Sequence, residues 1–208
     1  ISADAPKDAA ALAKRMARLG LKQIKVKVGT PNDGARLHAV RQALGSEVEL
    51  RADANGAWSA AQAIEQLKLL APFKLAMIEQ PVAADDIAGM KQVRAQCAVP
   101  VMADESLVTV DQAHRLIAEN ACDLFNIRLS KNGGIAGSLA IAKLAQEAGI
   151  KIQVGAQVGE TGILSAAGRT FAAHMSELVC AEGSFGTWLL TEDITYDNVA
   201  FGLGGRAP

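Results

Sequence analysis

At roughly 150 residues per domain, a chain of 208 residues makes one large α/β unit with a sizeable core. Lys and Arg number 21 and Asp and Glu 22, a net charge of −1, so the basic field that a nucleic-acid partner requires is missing. Half of the residues are hydrophobic and 4% aromatic, no apolar stretch reaches the roughly 20 residues of a membrane span, and the start Ile1-Ser2-Ala3-Asp4 has no signal-peptide pattern, which leaves a globular, cytoplasmic protein without a membrane partner as the expectation.

Along the chain one unit recurs: a short apolar or β-branched run, a polar loop, and then an alanine-rich stretch of helical periodicity. Helices are expected near 6–19, 32–44, 59–70, 85–96, 110–119, 134–148 and 161–173. The strands expected between and after them are 23–29, 48–53, 75–80, 99–104, 122–129, 150–155 and 178–183. Continuous apolar strands alternating with helices imply a parallel sheet covered by helices. Asp85 and Asp86 precede the fourth helix as an N-terminal cap. His38, His114 and His174 lie in or beside helices and are read as surface or packing residues. Cys97, Cys122 and Cys180 form no CxxC pair and are read as buried thiols. The stretch Gly155 to Gly162 lacks the Lys-Ser/Thr of a phosphate loop and is read as a strand-to-helix turn lining the pocket. Trp58 is placed on the rim of the fold.

The spacing carries more than the types. The polar residues closing successive strands are Lys27, Asp53, Glu79, Asp104, Lys131 and Gln157, separated by 26, 26, 25, 27 and 26 residues. One further step reaches Glu182, and one step back reaches Ile1. Eight evenly spaced positions predict a TIM-like (β/α) barrel, with its chemistry at the C-terminal ends of the strands, rather than an open doubly wound sheet. On this ruler the barrel is truncated at its first strand and at its C-terminal end. Residues 1–208 are thus expected to be a single barrel domain of a longer protein.

Three strand ends carry a carboxylate: Arg51-Ala52-Asp53, Met77-Ile78-Glu79 and Met102-Ala103-Asp104. Each alone is as readily a helix cap, but three from consecutive strands would repel one another in a cavity unless a hard cation sits among them. Mg²⁺ suits an all-carboxylate set, with Mn²⁺ as the substitute; zinc would require His or Cys. Lys25 and Lys27 alternate onto one face of their strand while Ile24, Val26 and Val28 take the other. On a barrel interior, repulsion and desolvation would make such a lysine a base near neutral pH; on an exposed edge strand both would be solvated. Lys131 stands four strand positions beyond Lys27, either on the far side of the barrel mouth or as a surface lysine in a loop. With metal and lysines together, the expected chemistry is abstraction of the α-proton of a carboxylate substrate to give a metal-stabilised enediolate, ending in racemisation, cycloisomerisation or elimination. Asn55, Gln157 and Glu182 are the candidate substrate-binding residues at the same strand ends. A metal-free barrel in which Lys27 or Lys131 forms a Schiff base, and a non-catalytic barrel scaffold, are the alternatives.

These residues resemble the enolase superfamily, and within it the mandelate racemase/muconate lactonizing enzyme family. The likeness rests on K-x-K at Lys25 and Lys27, D-A-N at Asp53 to Asn55, I-E-Q-P at Ile78 to Pro81, A-D-E-S at Ala103 to Ser106 and S-K-N-G-G at Ser130 to Gly134. The resemblance implies that Asp53, Glu79 and Asp104 bind Mg²⁺, that Lys27 and Lys131 are paired acid/base catalysts and that Lys25 assists at the substrate carboxylate. Gln153 to Gln157 stand where mandelate-racemase-like members place a His, which matches the lysine-pair subgroup that includes muconate cycloisomerases. Arg128 replaces a lysine common among relatives. Glu182-Gly183-Ser184 departs from the Asp-x-Asp of dipeptide epimerases and speaks against a dipeptide substrate. The resemblance further implies an N-terminal capping domain outside these residues, and assembly into homo-oligomers.

Overall fold

The computed structural model describes residues 1–183, 185–196 and 199–205. Among them helices and strands alternate as α1 (Pro6–Arg18), β1 (Gln23–Lys27), α2 (Asp33–Leu44), β2 (Glu49–Asp53), α3 (Ala60–Leu70), β3 (Ile78–Glu79) and α4 (Ile87–Gln96). They continue as β4 (Val101–Ala103), α5 (Val110–Ala118), β5 (Leu124–Ile127), α6 (Gly134–Glu147), β6 (Lys151–Val154), α7 (Gly162–Ala173) and β7 (Cys180–Ala181). Every expected helix and strand is present, but the strands are shorter than their apolar runs. β3 stops at Glu79 because Gln80 turns to φ 36°, outside the extended region. The chain divides into two compact units, Ile1–Ser106 with Leu203–Gly205, and Leu107–Gly202.

In the first unit β1, β2, β3 and β4 are parallel neighbours in chain order, with Lys27 opposite Asp53, Asp53 opposite Glu79 and Glu79 opposite Met102. The alternation expected for β1 holds: Ile24, Val26 and Val28 are buried and the lysines between them are half-buried. Helix α1 begins with Pro6 in its first turn, where a missing N–H costs nothing, and buries Ala9 and Ala13 as it packs on α2. Ser59 and Gln62 close a capping box on α3, and the Asp86 carboxylate accepts the Gly89 N–H at 2.8 Å to start α4. Ile1 lies beside β1, where the 26-residue spacing puts a preceding strand. Its ammonium donates to the Lys25 carbonyl at 2.5 Å and its carbonyl accepts from Lys27 N at 2.9 Å. Trp58 is half-buried and its N–H bonds to the Pro81 carbonyl at 3.2 Å.

In the second unit β5, β6 and β7 are parallel, with Asn126 opposite Gln153 and Gln153 opposite Cys180. Thr109 and Gln112 form the capping box of α5, and both oxygens of Asp193 receive the Gly162 N–H, anchoring the chain after β7 to the start of α7. The expectation of buried thiols is corrected. Only Cys122 is buried; Cys97 and Cys180 are half-buried, and the Cys180 thiol donates to Gln153 Oε1 at 2.9 Å. A small thiol near a strand end meets a polar partner rather than core. His38, His114 and His174 are exposed, as expected. No helix among the described residues is long and apolar enough to cross a membrane.

Gly29 closes β1 at φ 110°, and a Cβ there would stand 2.6 Å from the Ala57 Cβ. Gly29→Ala is therefore expected to lower stability by about 1–3 kcal/mol, read as a fall in the urea midpoint at unchanged m.

Candidate active site

The strand ends of the first unit concentrate charge that water cannot reach. Asp53, Glu79 and Asp104 are all 0% exposed, and each follows an apolar residue that fixes its strand in the core: Ala52, Ile78 and Ala103. Parallel pairing sets Lys27, Asp53 and Glu79 at one level. Asp104 stands two residues beyond Met102, the partner of Glu79, so it is offset along its strand but shares the face of Glu79 by alternation. The even ruler did not show this offset.

Two ammonium groups meet the carboxylates. Lys25 Nζ donates to Glu79 Oε2 at 2.9 Å and lies 3.5 Å from Asp53 Oδ2; Lys27 Nζ is 2.6 Å from the same Asp53 oxygen. The buried pair is thus compensated from the solvent side by lysines whose stems line β1, the arrangement that makes burial of carboxylates tolerable. Asp53 Oδ1 also accepts the Asn55 N–H at 3.1 Å. Among the described residues no three acidic, histidine or cysteine groups stand together as a ready metal cage, because the inner oxygens of Asp53 and Glu79 face the lysines. The first unit therefore brings Lys25, Lys27, Asp53 and Glu79 into contact.

Asn55, expected to bind substrate, is exposed and already engaged at both ends of its amide. Its Oδ1 accepts from Lys27 Nζ at 2.6 Å and its Nδ2 donates to Glu105 Oε1 at 2.8 Å. Its φ of 45° is a conformation that Asn tolerates better than most residues. Glu105, which the sequence reading passed over, thereby holds the amide with its oxygen toward Lys27. Gln80 was also passed over. Fully buried, it accepts the Asp104 and Ser106 N–H groups at 3.0 and 3.1 Å and donates to Ser106 Oγ at 2.7 Å and the Val82 carbonyl at 2.8 Å. All four amide bonding positions are used, so Gln80 fixes the turn that carries Asp104. The legible signal was its place in E-Q-P, directly after a carboxylate.

The second unit holds the remaining candidates. The backbone turns before Lys131, whose N–H bonds to the Arg128 carbonyl at 3.0 Å, yet its side chain folds back and donates to the Asn126 carbonyl at 2.9 Å. Lys131 is thus tied to the end of β5. Buried Asn132 organises this loop, accepting Arg128 N–H at 2.8 Å and donating to the Leu107 and Val108 carbonyls at 2.8 and 3.1 Å. The glycines of S-K-N-G-G have a use here: Gly133 and Gly134 adopt φ 76° and 71°. Gln157 is exposed beyond β6 and accepts from Arg128 Nη1 at 3.2 Å. Glu182 is half-buried just past β7, its N–H on the Val154 carbonyl at 2.8 Å; Ser184, which the sequence reading set beside it, lies outside the described residues.

Parallel βα units with carboxylates and lysines at their strand ends follow the pattern of an α/β barrel domain. Residues 8–205 match the family described as enolase C-terminal domain-like, and the chain belongs to that family. It is 40% identical over 186 residues to the D-Ala-D/L-Ala epimerase of Cytophaga hutchinsonii, covering 86% of this chain and 49% of that protein. It is 35% identical over 192 residues to the N-succinyl-L-Arg/Lys racemase of Bacillus cereus, covering 91% of this chain and 52% of that protein. The crystal structure of the Enterococcus faecalis V583 dipeptide epimerase complexed with Mg and the dipeptide L-Leu-L-Tyr superposes with a TM-score of 0.91 at 33% identity, covering 98% of this chain and 57% of that one. The chain spans about half the length of the curated relatives it matches. The (β/α) barrel expected from the spacing, of the enolase type that the resemblance implied, is the fold these matches show.

Gln80→Leu is expected to cost about 3 kcal/mol or more, since it strands two buried N–H groups and a hydroxyl at once, and chemical denaturation against the wild type measures it.

Proposed function

We propose that the protein is a Mg²⁺-dependent epimerase or racemase that removes and returns the α-proton of an N-acylated amino acid, a class that embraces both dipeptides and N-succinyl amino acids. The observation that carries the reading is the contact of Lys27 Nζ with Asp53 at 2.6 Å beside Glu79, with Asp53, Glu79 and Asp104 all excluded from solvent. Similarity to relatives named as epimerases and a racemase acting on such compounds supports it. Residues 1–208 are the barrel domain in this reading, and the working enzyme also includes a capping domain and a homo-oligomeric assembly.

Asp53, Glu79 and Asp104 are the proposed ligands of the ion. Three carboxylates supply hard oxygen donors with a charge that two lysines offset only in part, a set that suits Mg²⁺ and not a soft metal. When bound, the ion polarises the substrate carboxylate and acidifies the adjacent C–H. Asp53, Glu79 and Asp104 would hold the ion, and its charge would release Lys25 and Lys27 from their pairing with Asp53 and Glu79. Lys27 in its amine form then takes the α-proton, and Lys131 in its ammonium form returns a proton; for the other epimer the roles exchange, so no net proton is consumed. Lys25 stays protonated and offsets the negative charge that builds on the substrate carboxylate. Asn55 is assigned to holding Lys27 as well as to substrate, and Gln157 and Glu182 to the substrate's distal groups. With one carboxylate at Glu182 in place of an Asp-x-Asp, N-succinyl amino acids compete with dipeptides as the preferred class.

In the full-length protein in D₂O, NMR is expected to show Mg²⁺-dependent α-proton exchange into both epimers of at least one compound from a panel of dipeptides and N-succinyl amino acids. Lys27→Ala should lower kcat by about 10²–10⁴-fold, and Asp53→Asn should weaken Mg²⁺ binding about tenfold or more by calorimetry. Absence of exchange with every compound overturns the reading.

A further inference from the structure

Lys27 ends β1, and the turn that follows it is held by a buried ion pair on α2. Arg36 and Asp33 are each 2% exposed and paired at 2.5 Å. The Arg36 fork is spent on the end of β1: Nη2 donates to the Lys27 carbonyl at 2.7 Å and to Thr30 Oγ1 at 3.2 Å, and Nη1 donates to the Ala3 carbonyl at 3.2 Å. Asp33 takes the other side of the turn, with Oδ2 accepting Gly29 N–H at 2.6 Å and Thr30 N–H at 3.0 Å while Oδ1 accepts Thr30 Oγ1 at 2.8 Å. The Lys27 carbonyl and the Gly29 and Thr30 N–H groups are therefore held by one side-chain pair, while Val28 N–H bonds to the Asp53 carbonyl at 2.8 Å.

The arrangement is costlier than helix initiation needs. A Ser or Thr cap would start α2, whereas here a guanidinium is buried with its Nε bonded to nothing among the described residues. What the guanidinium supplies and a cap does not is a rigid two-pronged donor to carbonyls of β1 and of the segment beside it. We propose that the Asp33–Arg36 pair is a positioning device for Lys27: it fixes the backbone from which the side chain reaches Asp53, and so sets where Nζ can meet a substrate proton. Among the described residues the pair bonds to none of the proposed metal ligands.

The inference rests on the two-lysine reading above, and its test separates the two. In the full-length protein, Arg36→Met is expected to lower kcat about 10–100-fold, the scale of a misplacement near 1 Å, with KM within about twofold and Mg²⁺ affinity by calorimetry unchanged. The discriminating readout is stereochemical. With Lys27 displaced and Lys131 intact, solvent deuterium should enter the epimer that Lys131 deprotonates at near the wild-type rate, while exchange into the other epimer falls. Arg36→Lys, which keeps the charge and one prong, should recover most of that exchange; if Arg36→Met does not fold, the same one-sided loss, smaller, is expected in Arg36→Lys. Equal loss for both epimers, or one-sided loss absent from a folded variant, overturns the inference. A wild-type protein that exchanges neither epimer overturns the parent reading instead.

Discussion

Three carboxylates buried without solvent are the constraint around which the first unit is organised. Each would be prohibitively costly alone, and nearby structure answers that cost. Lys25 and Lys27 bring positive charge from β1 to Asp53 and Glu79, and the Asn55 N–H adds a hydrogen bond to the second oxygen of Asp53. Parallel pairing is what makes this possible, because Lys27, Asp53 and Glu79 share one register level and so meet without any bend in the strands. The charges that balance Asp53 and Glu79 are lysine head groups rather than fixed dipoles.

Both units use the same device to turn a strand end into a defined site, a buried side-chain amide that satisfies the backbone of the following loop. Gln80 does so for the Asp104–Ser106 turn and Asn132 for the Arg128–Lys131 loop. Amides suit this task because each presents a donor and an acceptor, carries no charge to be balanced and loses little by complete burial once its bonds are made. At these two strand ends neutral residues do the holding. The exception is Asp33 and Arg36, where a buried ion pair holds the loop after Lys27.

The positions of the elements and the residue types at their ends were legible because both follow from local pattern. Apolar runs and alanine-rich periodicity found all of β1 to β7 and α1 to α7, and a constant spacing picked out Lys27, Asp53, Glu79, Asp104 and Lys131. What stayed hidden depends on register and on partners distant in sequence. The two-residue offset of Asp104 arises where β4 pairs with β3, a relation no single strand displays. Glu105 was passed over because its partner Asn55, which donates to it, lies fifty residues earlier. Cys97 and Cys180 were misplaced because thiol burial follows from what surrounds a strand end or helix end rather than from composition.

That division also explains why reaction type is easier to read here than substrate. The proposed acid–base groups sit at or next to strand ends, where hydrogen-bonded pairing restricts the backbone and a residue's number nearly fixes its place. Groups suited to telling one acyl amino acid from another sit farther out: Gln157 is exposed on the loop after β6, and Glu182 is only half-buried beyond β7. Loops tolerate substitution because few buried contacts depend on them, so specificity can change while the carboxylates and lysines stay. On the proposed function, a chain with K-x-K, three buried acids and S-K-N-G-G is therefore strongly constrained in how it handles a proton and weakly constrained in which compound brings it. The similarity to both a dipeptide-type epimerase and an N-succinyl amino acid racemase is what that asymmetry produces.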